Sequence, residues 1–119
     1  MSTTYKFDFD AFTRAVQERD AATQAGMYAP DAAVTVIDRN TQPHAPRELQ
    51  GINEIRAWIE EVCGRDMTHR VGHTVADEHG AAFTLACRYP DGTNVACATV
   101  LELTDGQVAR QTVVQVWDE

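Results

Sequence analysis

Positive charge is scarce in this chain. Ten Lys and Arg residues stand against eighteen Asp and Glu, giving a formal net charge of -8 and a pI near 4.8. Phosphate-binding surfaces need clustered cations, so neither nucleic acid nor an anionic membrane is expected as a partner. Cysteine is also sparse. Cys63, Cys87 and Cys97 are odd in number and lack Cys-x-x-Cys spacing, which indicates no disulfide framework and no zinc knuckle. Reduced thiols of this kind suit the cytoplasm. The opening Met1-Ser2-Thr3-Thr4-Tyr5-Lys6 has no apolar run, so neither a signal peptide nor a membrane span is expected. Internal repeats and low-complexity tracts are missing. So are a glycine-rich phosphate loop, a Ser-His-Asp signature and a nucleotide fingerprint, and no cofactor is expected.

What is present suits a globular domain. The 119 residues are 44% apolar and 24% charged, enough for one core in a single domain, 1–119, without help from metals or disulfides. The organising stretch is residues 26–38. Gly26 can close a helix in the left-handed conformation. Pro30 turns the chain out of helical dihedrals, and Asp31 can fix the corner. From Ala32 the period is two, with Ala32, Val34, Val36 and Asp38 on one face. A carboxylate closing an apolar strand face is the first hint of a site.

Before that corner, Asp8 or Asp10 caps a helix with Phe9, Phe12 and Val16 on one side, and Asp20 caps a second, shorter one. Residues 39–50 read as a long polar loop. Residues 51–63 are amphipathic: Ile52, Ile55, Trp58, Ile59 and Val62 share a face, and Gly64 ends the helix. Four alternating runs follow, over 68–77, 81–89, 93–103 and 108–117. The Gly-containing turns between them indicate an antiparallel meander. The order gives an α+β fold.

That order, with Met27-Tyr28-Ala29-x-Asp31-Ala32, Gly51-x-x-x-Ile55-Arg56 and Asp105-Gly106-x-Val108, resembles the nuclear-transport-factor-2-like superfamily and within it the SnoaL-like, polyketide cyclase-like proteins. The resemblance implies a cone: a curved antiparallel sheet wrapped around a pocket, closed by the N-terminal helices. Relatives include isomerases, dehydratases, epoxide hydrolases, cyclases and modules without chemistry. Against the ketosteroid isomerase pattern the chain departs at each catalytic position. Phe12 falls at its oxyanion tyrosine, Val36 at its base and Thr99 near its protonated acid. The resemblance also implies that Val34, Val36, Asp38, Phe83, Leu85, Cys87, Tyr89, Val95, Cys97, Thr99, Ala109, Gln111, Val113, Gln115 and Trp117 point inward.

Two residues are the candidate acid/base pair. Asp38 lies one pleat beyond the family's base position. His69 shares a strand face with Val71, His73 and Val75, and SnoaL-like enzymes often place a histidine on this strand. The expectation is that Asp38 and His69 meet across the pocket mouth. Alternatively, Asp38 is a solvated strand end and His69 a core-edge residue. No metal is expected at His69 and His73, because residues four apart on a strand lie about 13 Å apart. Val36, Trp58, Tyr89, Cys97, Thr99, Gln111, Val113 and Gln115 are the candidate substrate contacts. The glutamines are placed inward, or outward if the last strand is turned over. Cys87 and Cys97 read as small buried hydrophobes.

The expected function is therefore a small-molecule pocket. It is either a cofactor-independent cyclase, isomerase or dehydratase on an apolar organic substrate, or a ligand-binding or accessory module. A homodimer is expected through the outward Ala96, Ala98, Val100, Thr112, Val114 and Val116.

Overall fold

The computed structural model describes residues 7–118. Asp8 begins α1 (Phe9–Glu18), its carboxylate accepting from the Ala11 N–H at 2.9 Å. Asp20 does the same for α2 (Ala21–Ala25). Gly26 closes that helix at φ -66°, so its left-handed freedom is not used there. The third helix, α3 (Gly51–Cys63), follows Gln50, whose N–H is taken by the Glu54 carboxylate.

Six strands form one sheet in the order β2-β1-β6-β5-β4-β3. They are β1 (Tyr28–Ile37), β2 (Arg47–Gln50), β3 (Thr68–Ala76), β4 (Gly80–Arg88), β5 (Asn94–Thr104) and β6 (Gln107–Trp117). All pairings are antiparallel except β1 with β6. The helices cover one face: α1 packs on β3, α3 on β1 and β2, and α2 bridges the other two helices. The fold is the expected α+β cone. Its core gathers Phe12, Tyr28, Val34, Val36, Ile55, Ile59, Phe83, Leu101 and Val108. β5 alternates buried and exposed along its whole length, as a strand with one dry face must.

Three irregularities correct the sequence expectations. First, the strand begins at Tyr28, not after Pro30. Tyr28 pairs with Val108 and Ala33 with Arg110, so Pro30 sits in a wide bulge where its missing N–H interrupts no ladder. Second, the 39–50 stretch is not all loop, because Arg47–Gln50 pairs with β1 and buries Leu49. Third, bulges turn the faces of two strands. One extra residue at Ala109 puts both Val108 and Gln111 inside. Another, between Val71 and Thr74, puts His69 and Val71 on the face of Leu85 and Phe83 but sends His73 and Val75 to the other. The expected shared face of His69 and His73 is therefore broken. The bulge is held from both sides: the Val71 N–H donates to the Gln17 side chain of α1 at 2.9 Å, and the His73 N–H to the Thr84 hydroxyl at 3.0 Å.

Candidate functional site

Where α1, α2 and α3 cross the concave face of β4, β5 and β6, a cavity of about 70 Å³ remains. Its walls are largely apolar: Phe12, Val16, Trp58, Val62, Phe83, Leu85 and Val113. Of the candidate substrate contacts, Trp58, Cys97, Thr99, Gln111, Val113 and Gln115 line it. Val36 does not. It is buried in the core where α3 packs over β1, so no wall is left for it to form. Tyr89 does not either. Its ring stacks on Trp117 with centroids 5.8 Å apart, and it borders an outer hollow that also contacts Arg19, Met67, His69 and Arg88. His69 and Met67 line both spaces and so stand between them.

The polar groups within are mostly committed. The buried Tyr28 hydroxyl donates to the Gln111 carbonyl oxygen, and burial pushes the phenol up from its ordinary value. The Trp117 indole donates to the Gln115 carbonyl oxygen at 3.1 Å. Both glutamines therefore face inward with their oxygens already engaged.

The expected Asp38–His69 pair is not formed. Asp38 ends in a turn, its carboxylate accepting from the Asn40 N–H at 2.8 Å, and it does not line the cavity. β1 and β3 are separated in the sheet by β6, β5 and β4, four spacings of ~4.8 Å. His69 has a different partner. Directly opposite it on β4 is Cys87, whose Sγ lies 3.3 Å from His69 Nδ1. His69 Nε2 is buried with no partner among the described residues. Cys97 sits diagonally across from Cys87, on the same inward face, because Leu85 pairs with Cys97 and Cys87 with Val95.

This cluster sets the two thiols apart. The hydrogen bond from Cys97, then the hydrogen bond and charge of His69, lower the Cys87 thiol to about 5 against the opposing effect of burial. The hydrogen bond to Cys87 pushes Cys97 up, and burial and the Cys87 charge add to it. The pair thus favours ionisation at Cys87 over Cys97. The sequence places Cys87 inward but reads it as a small buried hydrophobe, because no histidine neighbours it along the chain. The only signal is the register of the β3–β4 hairpin.

No curated protein matches this sequence. Among solved structures it is similar to an NTF2-like protein of unknown function from Mesorhizobium loti, with 12% identity, 88% of this chain and 84% of that one covered, and a TM-score of 0.78. It is similar to a ketosteroid isomerase-like protein of Kribbella flavida, with 21% identity, coverage of 92% and 74%, and a TM-score of 0.73. The epoxide hydrolase/cyclase-like enzyme SalBIII, which acts in pyran ring formation in the polyether salinomycin, matches at 23% identity, coverage of 88% and 84%, and a TM-score of 0.65. These likenesses establish the fold. The SnoaL-like domain family matches residues 9–111, nearly the whole cone from α1 to the middle of β6, and the chain belongs to that family.

Proposed function

We propose that the protein is a small-molecule enzyme of the cone, using His69 for proton transfer on an apolar carbonyl compound. One observation carries this reading: an imidazole on the wall of a mostly apolar cavity, with Nε2 buried and unpartnered. A buried donor or acceptor without a partner costs roughly 1–3 kcal/mol, so the fold bears a cost that a ligand atom would relieve. Imidazole is also the side chain best suited to moving protons near neutral pH. The cavity, at about 70 Å³, is roughly half of a ~150 Å³ void that takes benzene, so as it stands it suits only a compound smaller than a benzene ring. Isomerisation, cyclisation and dehydration all begin with such a proton transfer, and similar cones include isomerase-like and cyclase-like proteins. Asp38 takes no part in this scheme.

The test needs no knowledge of the natural substrate. Small ketones and enones that raise the melting temperature are incubated with the protein in D2O, and exchange at the α-carbon is followed by NMR. The expected result is exchange above the buffer rate, falling about 10²-fold or more in His69→Gln. Binding without exchange for every compound would instead favour a ligand-binding module. That second reading draws on Gln111 and Gln115, whose oxygens are already satisfied within the protein.

A further inference from the structure

We propose that Cys87 is a nucleophile toward small α,β-unsaturated carbonyl compounds, with His69 as its proton partner, inside the same cavity. The inference rests on the cavity of the preceding reading but adds a covalent step that simple proton transfer does not require.

The geometry comes from three strands. β3 supplies His69, β4 supplies Cys87 directly opposite, and β5 supplies Cys97 on the diagonal. All three line the cavity. Nucleophile and base lie 3.3 Å apart, hydrogen-bond range for sulfur, which is the arrangement that activates a thiol. The second thiol has a distinct use. Cys97, on the neighbouring diagonal of the same inward face, helps to hold Cys87 below its ordinary thiol value. Cys63, the third cysteine of the chain, also reaches the cavity, but burial pushes its thiol up, so it stays protonated.

The tautomer then follows. When Nδ1 accepts the Cys87 proton, Nε2 must carry a hydrogen, and that donor has no acceptor among the described residues. A substrate carbonyl oxygen supplies one. The step balances without any added reagent. With the Cys87 proton already on Nδ1, the thiolate sulfur attacks the β-carbon and the S–C bond forms. The C=C π pair shifts toward the carbonyl, and the enolate oxygen is held by Nε2–H. A proton from the imidazolium returns to the α-carbon, giving a saturated thioether. Reversal expels the thiolate. Between the two steps the former double bond is single and free to rotate, so the same residues can interconvert cis and trans enones.

The titratable and charged groups around the His69–Cys87 pair are Cys97 on β5, Cys63 at the end of α3, Arg65 and Asp66 in the loop after it, Arg19 after α1, Arg88 at the end of β4 and Tyr89 just beyond it. β6 faces the thiol with the uncharged Val113, Gln115 and Trp117.

The experiment is addition of methyl vinyl ketone at pH 6, read by intact mass and peptide mapping. It compares the native protein with the urea-unfolded chain. The expected result is a single adduct on Cys87, formed at least ~10-fold faster in the native protein, where the thiolate is populated below the ordinary thiol range. His69→Gln should abolish that advantage while circular dichroism shows the fold retained. Cys87→Ser, which keeps the volume nearly unchanged, should leave no fast adduct. First labelling at Cys63 or Cys97 would overturn the proposal. So would a Cys87 rate equal in native and unfolded chains, or no native adduct at all. Labelling is read without turnover, so an inert thiol and a silent α-proton exchange are separate results.

Discussion

A single atom at Gly72 tests the local geometry of the site. A Cβ there would meet the Thr84 hydroxyl oxygen at 2.5 Å, which is the same oxygen that accepts from the His73 N–H. Gly72→Ala should therefore turn Thr84 away and forfeit that bond, at about 1–2 kcal/mol in urea unfolding. Combined with Thr84→Ala, it should cost less than the sum of the two single changes, because the clash and the bond share one oxygen. Additive costs would mean the strand shifts instead. Tyr28→Phe makes a different residue-scale case. It leaves the buried Gln111 oxygen without its donor and should destabilise by about 1–3 kcal/mol. The rate of adduct formation at Cys87 should stay within about twofold, since Tyr28 lies outside the thiol cluster.

At the scale of elements, much of the fold could be read directly. The Asp8 and Asp20 caps, the α3 face and the period of β5 all follow from spacing, because each depends only on near neighbours. The site was legible only in part. Gln111, Gln115, Thr99 and Trp58 could be placed by alternation and by resemblance. Cys87 could be placed inward in the same way, but not opposite His69, because the bulge is invisible to a period-two reading. Counting back from the Ala76–Ala81 pair without it sets His69 opposite Arg88, whereas the bulge moves His69 to Cys87. Asp38 failed for a related reason: face alternation says nothing about how many strands lie between two residues. The hairpin that fixes the true register turns on Asp77, whose carboxylate accepts from His79 and Gly80 N–H at 2.8 and 2.9 Å. The His79 bond first, then the Gly80 bond, lowers this carboxyl below its ordinary value. The folded pKa is thus below the unfolded one of about 3.9, so the turn is favoured above that pH and loosens as pH falls through the folded value. Protection of the His79 and Gly80 amides, measured as exchange relative to the unfolded chain at the same pH, should fall there, and Asp77→Asn should remove the pH step. Protection that stays level across this range in the native chain would show that the turn is held by other contacts.

For the whole molecule, the convex side of the sheet remains to be accounted for. Val100, Val114 and Val116 are 54%, 41% and 68% exposed, with Ala96 and Ala98 between them. An apolar sheet face of this kind seldom stays in water, and a second copy packed about a twofold axis would cover it. Sedimentation at micromolar concentration should give twice the 13.2 kDa chain mass, and Val114→Glu should give the monomer. A wild-type chain that sediments as a monomer would refute the pairing. The bulge in β3 bears on assembly as well. β3 is the terminal strand of the sheet, and its exposed outer rim would otherwise present regularly spaced amide and carbonyl groups to any passing strand. The extra residue between Val71 and Thr74 breaks that spacing, which disfavours in-register addition of a neighbouring strand at this edge. One added residue therefore both brings a histidine to a thiol and interrupts the regular rim at this end of the sheet.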